Sequence, residues 1–186
     1  MGVLKDRFKE KSQPAATELK ELLKKHGDKK IGEVQLSQIY QGMRGITGLV
    51  TETSLLDAQE GIRFREFSIP ELRKKLPKIK GGTEPLPEGL FYLMLIGELP
   101  TDEDVAHITS VWMRRSHVPN HVFAAIDALP ISAHPMTMFV TGVMALQTES
   151  NFAKAYANGI NKKDYWEPVF DDAMDLLARL PRIAAY

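Results

Sequence analysis

The chain has 186 residues, the length of one ordinary domain, and its 44% hydrophobic and 26% charged content excludes a disordered polymer. Its 24 lysines and arginines meet 24 aspartates and glutamates, a formal net charge of +0 that removes the electrostatic footprint of a nucleic-acid or anionic-membrane binder. There is no cysteine, which excludes disulfides, thiolate nucleophiles and cysteine zinc sites, and no apolar run approaches the ~20 residues of a membrane span.

From Phe8 the apolar residues Phe8, Ala15, Ala16, Leu19, Leu22 and Leu23 form one helical stripe, closed by the basic turn Lys24-Lys25-His26 and by Gly27. The spacing predicts one amphipathic helix, with Pro14 as its candidate bend. Ile31, Val34 and Leu36 around Gly32 read as a short extended segment, able to pair with a hairpin further on.

Met43 to Leu72 is the least helical and most glycine-punctuated stretch. Gly42, Gly45 and Gly48 bracket a lone Arg44, so a guanidinium sits on a backbone free to take positive φ, a clamp for a phosphate or carboxylate. Asp57-Ala58-Gln59-Glu60-Gly61 then leads into Ile62, Arg63, Phe64 and Arg65, whose alternation predicts a half-buried hairpin strand. Ser68-Ile69-Pro70-Glu71 is a capping-box start for a helix that runs to Leu76.

Lys78 to Pro87 reads as a loop; its lysines, with Arg73, Lys74 and Lys75, form a solvated basic face. Gly81-Gly82-Thr83 lacks the Lys-Ser/Thr ending of a phosphate loop. Leu90 to Ile96 predicts a buried helix ended by Gly97, and Thr101-Asp102-Glu103-Asp104 caps another with Val105, Ile108 and Trp112 inward. A short helix follows from Pro119, with Val122, Phe123 and Ile126 inward, and Pro130 ends it.

Pro135 to Leu146 is apolar on more than one face, which predicts a central, methionine-rich core helix in which Gly142 admits a close neighbour. Ser150 to Asn158 predicts a short helix with Phe152 and Tyr156 inward. Trp166, Val169, Phe170, Ala173, Leu176, Leu177 and Leu180 then give the cleanest helical stripe. Pro181 can open a new segment, and the abrupt apolar stop at Tyr186 suggests a chain that continues.

His117 and His121 stand four apart, but Pro119 between them argues against a shared helical face, so no metal site is expected. His134 before Pro135 reads as a helix-entry histidine satisfied by backbone, and Asp171-Asp172 as surface charge. Composition and periodicity stop at a helical domain with a small β-hairpin and one exposed arginine loop.

The blocks GMRGITGLVTETSLLDAQEGIRFREFSIPEL, GGTEPLPEGLFYLMLIGELPTDEDV, LPISAHPMTMF, ESNFAKAYANGINKKDYWEP and DDAMDLLARLP resemble, in order and over nearly the whole chain, citrate synthase of the eukaryotic mitochondrial type. The resemblance implies a mainly α, multi-helical citrate synthase fold with a small β-hairpin or sheet near residues 31–67. It makes residues 1–186 the N-terminal part of the large domain, with the small domain and catalytic region outside them. It also implies a homodimer of the mitochondrial matrix that condenses acetyl-CoA with oxaloacetate to citrate and CoA. Acetyl-CoA is then a substrate, and no cofactor, metal, nucleic acid or membrane is involved.

In the family, one histidine and an aspartate form the enol or enolate of the acetyl group, and a second histidine assists attack on oxaloacetate. These belong to the later part of the family's sequence, so the resemblance places no catalytic residue here and implies that the segment alone is inactive. It does place CoA-phosphate contacts at Arg44 and at Lys162, where relatives carry arginine. Thr51 stands where tyrosine is common. Glu66 stands where glycine is usual, at a cost of ~1 kcal/mol if that position needs positive φ. Two other expectations stay open: a relative acting on propionyl-CoA, and a non-catalytic interaction subunit derived from the enzyme.

Overall fold

Helix α1 (Gly2–His26) opens the first of two units, Met1–Val105 and Ala106–Tyr186, in a computed structural model that describes residues 2–46, 48 and 50–186. Its N-terminal half docks on α4 (Pro87–Ile96). Leu4 is buried there, Arg7 donates to the Tyr92 hydroxyl and to Asp104 at 2.9 Å, and Lys11 pairs with Glu98. Pro14 lies inside the continuous helix. The predicted apolar stripe is not buried: Leu19, Leu22 and Leu23 are exposed, beyond the docking residues Leu4, Arg7 and Lys11.

Leu36 does not extend a strand but opens the short helix α2 (Leu36–Tyr40). Gln35 and Gln38 form its capping box, with the Gln35 N–H donating to Gln38 Oε1 at 2.9 Å, and this reciprocal pair overrides the extended pattern of Ile31 and Val34. The sheet lies further along, in β1 (Ser54–Asp57), β2 (Gly61–Phe64) and β3 (Phe67–Ser68), an antiparallel meander in sequence order. Asp57 Oδ1 accepts the Gln59 and Glu60 N–H groups at 2.8 Å each, and Gly61 closes that turn at φ +83°. The first pairing sets Ser54 opposite Phe64 and Asp57 opposite Gly61.

Between β2 and β3 the positive φ falls on Arg65, at +52°, and not on Glu66. With Phe64 paired to Phe67, Arg65 is the first central residue of a two-residue turn, the place where a type II′ turn wants glycine.

The first unit's core is Leu72 and Leu76 against Leu93, with Phe64, Phe67 and Leu90 packed around them. Each such burial is worth about 1.5–3 kcal/mol. Helix α3 (Ile69–Lys75) starts as expected: the Glu71 carboxylate accepts both the Ser68 N–H at 2.8 Å and its hydroxyl at 2.6 Å. Gly97 ends α4 in the left-handed region at φ +85°. Thr101 and Asp104 cap α5 (Asp102–Arg115) reciprocally, at 2.9 and 3.2 Å.

In the second unit α6 (Asn120–Asp127), α7 (Pro135–Ala145) and α9 (Trp166–Ala185) surround a core of Val118, Val122, Ile126, Leu146 and Ile183. Gly142 lets them close: a Cβ there would lie 2.8 Å from Ile183 Cγ2 and 2.9 Å from Ile126 Cδ1. Helix α7 is less central than its composition suggests. Met138 and Phe139 pack on the core, whereas Met136, Val140 and Met144 are exposed on the opposite face.

Helix α9 runs through Pro181 without a new start, and its buried line is Phe170, Met174 and Ala178, a step in azimuth from the stripe read in the sequence. Val169 and Leu176 are partly exposed, since the face is chosen by α7 and by α8 (Asn151–Ala157).

Candidate functional site

Arg44 sits on a pair of tight turns immediately after α2. Gly42 and Met43 take φ +71° and +62°, and Gly45 takes +72°. Glycine removes the steric cost at positions 42 and 45, while Met43, with a side chain, bears ~1 kcal/mol or more of it. Gly48, the third glycine of the expected bracket, stands between residues outside those described.

The Ile46 N–H donates to the Met43 carbonyl at 3.2 Å, so Arg44 and Gly45 are the central pair of a turn with positive φ at its second position, the type II pattern. The turn presents Arg44 at a corner, exposed, with its carbonyl accepting from Gln38 Nε2 at 3.4 Å. Among the described residues no side chain pairs with its guanidinium, which leaves its planar fork of donors available to an oxyanion.

The far end of this loop is tied down by Arg65. Its backbone N–H donates to the Thr53 carbonyl at 2.8 Å, and its guanidinium bonds the Glu52 carbonyl at 3.3 Å and the Met94 carbonyl at 2.5 Å. Sequence reading placed Arg65 only in the strand alternation and missed its anchoring role, because bonds from one arginine to two distant carbonyls leave no periodic signal.

Lys162 lies in the second unit. Gly159, at φ +77°, follows the C-cap of helix α8, and Asn161 then accepts the Lys163 N–H through Oδ1 at 3.1 Å to start a one-turn 3-10 segment, Lys162–Asp164. Lys162 is exposed on it, with no ion pair among the described residues. Nearby, Phe152 meets the Tyr165 ring edge-on at 5.2 Å and Tyr156 at 5.9 Å, although Tyr156 is exposed and not inward as its spacing implied.

Asp171 and Asp172 are not plain surface charge. Asp172 accepts from the Ser150 hydroxyl at 2.6 Å and from the Asn151 and Phe152 N–H groups at 2.6 and 3.0 Å, so it caps α8 from another helix. Partial burial pushes its carboxyl up, but the hydrogen bonds from Ser150, Phe152 and Asn151 together outweigh that and hold it below the ordinary aspartate value. Asp171 and Asp175 both receive Arg115.

His134 and His121 hold structural hydrogen bonds. His134 Nδ1 accepts the Met136 N–H at 3.1 Å at the start of α7, and His121 Nε2 lies 3.1 Å from the Ala145 carbonyl and 3.2 Å from Thr148 Oγ1. His117 is exposed. Among the described residues no three His, Cys, Asp or Glu side chains gather to hold a metal ion, and no helix is long and apolar enough to cross a membrane.

The family model described as citrate synthase, C-terminal domain, matches residues 42–186. The mitochondrial citrate synthase of Saccharomyces cerevisiae is 53% identical over 182 residues, covering 98% of this chain and 38% of the yeast protein. That of Daucus carota is 51% identical over 183 residues, covering 98% and 39%. A ternary complex of carboxymethyl coenzyme A and oxaloacetate with citrate synthase from Thermoplasma acidophilum shares the fold: TM-score 0.57, at 20% identity, over 77% of this chain and 33% of that one.

The chain therefore spans less than two fifths of the length of these curated relatives. With a family match over residues 42–186 and half of all positions identical to enzymes of one kind, this chain belongs to the citrate synthase family.

Proposed function

We propose that residues 1–186 form the N-terminal part of the large domain of a citrate synthase. This enzyme condenses acetyl-CoA with oxaloacetate and water to citrate and CoA, as a homodimer in the mitochondrial matrix and without a resident cofactor. The observation that carries this reading is 53% identity over 98% of the chain to a mitochondrial citrate synthase.

Within that enzyme the segment supplies packing helices and cationic contacts to CoA. Arg44, on its two-turn corner, offers a planar fork suited to a phosphate, and Lys162 offers a point charge without the fork. The two histidines and the aspartate that the family uses for enolisation and attack belong to its later sequence. The 186-residue polypeptide by itself is therefore inactive.

The test is to incubate that polypeptide, and separately the native protein that contains this chain, with acetyl-CoA and oxaloacetate while following free CoA thiol and citrate. Citrate from the native protein and none from the polypeptide is the expected result. Thiol release by the polypeptide would place catalysis inside these residues. No citrate from either would instead favour a non-catalytic interaction subunit.

A further inference from the structure

We propose that Gln38 is the positioning residue for Arg44, an inference that rests on reading Arg44 as a CoA-phosphate contact. From Gln13 to Gly45 every residue is exposed except Gln38, which is half-buried beneath the Arg44 turn. Its amide is used at both ends. Oε1 accepts the Gln35 N–H at 2.9 Å, and this orients Nε2 to donate to the Arg44 carbonyl at 3.4 Å. Nε2 also lies 3.7 Å from where a Cβ on Gly45 would stand, so the turn rests on the amide.

Helix α2 is short and exposed, and the corner it carries holds three consecutive-to-near residues at positive φ, Gly42, Met43 and Gly45. Left unsupported, such a corner would sample other turns, and an anion would have to order it on binding, which lowers affinity without touching any contact to the ligand. A side chain with a donor and an acceptor on one rigid plane ties the helix start to the corner. Glutamate would keep only the acceptor, and methionine neither.

The test measures equilibrium binding of CoA, and of phosphate-free pantetheine, by titration calorimetry on the native protein that contains this chain. The variants are Gln38→Met, Gln35→Ala, Arg44→Gln and the Gln38→Met/Arg44→Gln pair, each checked for folding by thermal unfolding. Gln38→Met, nearly isosteric, is expected to weaken CoA several-fold and leave pantetheine unchanged. Gln35→Ala, which removes the side-chain half of the α2 capping box but keeps the Gln35 N–H that holds Gln38 Oε1, is expected to leave CoA affinity near the parent's. The double variant is expected to bind no worse than Arg44→Gln alone.

If Arg44→Gln weakens CoA but Gln38→Met does not, the positioning role is wrong and the clamp stands. Equal losses in Gln38→Met and Gln35→Ala would reduce Gln38 to a helix cap, and additive losses in the pair would mean that it acts by another route; either overturns the proposal. If Arg44→Gln leaves CoA affinity unchanged, or CoA does not bind, the clamp reading and this role fall together.

Discussion

Arg65 reaches from a strained turn to the end of another helix, its Nη2 donating to the Met94 carbonyl at 2.5 Å while its own backbone sits at φ +52°. The carbonyl belongs to the last turn of α4, where a cation also complements the helix dipole. The backbone strain costs about 1–2 kcal/mol, against hydrogen bonds from a charged group worth about 1.5–3 kcal/mol. Arg65→Gly relieves the strain and removes the bonds, so it is expected to destabilise the fold by about 1 kcal/mol in denaturant unfolding. A variant more stable than the parent would mean that the strain is the larger effect.

Gly142 is where the second unit has no room. Alanine would improve helix propensity by about 1 kcal/mol, but its Cβ would press on Ile183 and Ile126 at under 3 Å. Overpacking of that kind costs about 1–3 kcal/mol, so Gly142→Ala is expected to be net destabilising. Ile183→Leu moves the branch point from Cβ to Cγ and takes away the nearest methyl. The leucine should therefore cost less in the alanine background than alone, and strict additivity in the double-mutant cycle would show that the two sites do not touch.

Local signals were the legible ones. Ser68 with Glu71, Thr101 with Asp104, His134 before Pro135 and the glycines at 42 and 45 each act within a few residues, and each does what its spacing announced. Choices made by distant partners were not legible. Gln35 and Gln38 turned an extended pattern into α2, Asp172 left the surface to cap α8, and the exposed faces of α1 and α7 look in sequence like core. Hydrophobic periodicity says that a face wants cover, and it cannot say which element supplies it. For the candidate site, the Arg44 corner was readable from its glycines, whereas its supports, Gln38 and Arg65, are single polar residues without a pattern.

Arg115 joins α5 to α9 by a fork: Nη1 binds Asp175 and the Asp171 carbonyl, and Nη2 lies 3.3 Å from Asp171 Oδ1. All three side chains are mostly shielded from solvent, so the pair is worth more than a surface ion pair. Arg115→Ala is expected to lower stability by about 1–3 kcal/mol by leaving two carboxylates under-satisfied. Arg115→Lys should fall between, since an ammonium keeps the charge and loses the two-pronged reach. A lysine variant as stable as the parent would show that charge alone suffices.

Asp172 gives the fold an acid-sensitive clasp. Its carboxyl is partly buried, which by itself would raise its pKa, but the donors from Ser150, Phe152 and Asn151 favour the ionised form and hold the pKa below the ordinary value. A group depressed in the folded state contributes stability that is complete above its unfolded pKa, about 4 for aspartate, and is lost as pH falls through the folded value. The stability difference between the parent and Asp172→Asn should then be flat from neutral pH down to about 5 and shrink below about 4. Asp104 and Glu98 are also depressed, and they are common to both proteins, so their acid losses cancel in the difference. Denaturant unfolding at a series of pH values reads the outcome. A gap that stays constant down to pH ~3 would mean that the capping of α8 does not depend on the carboxylate charge.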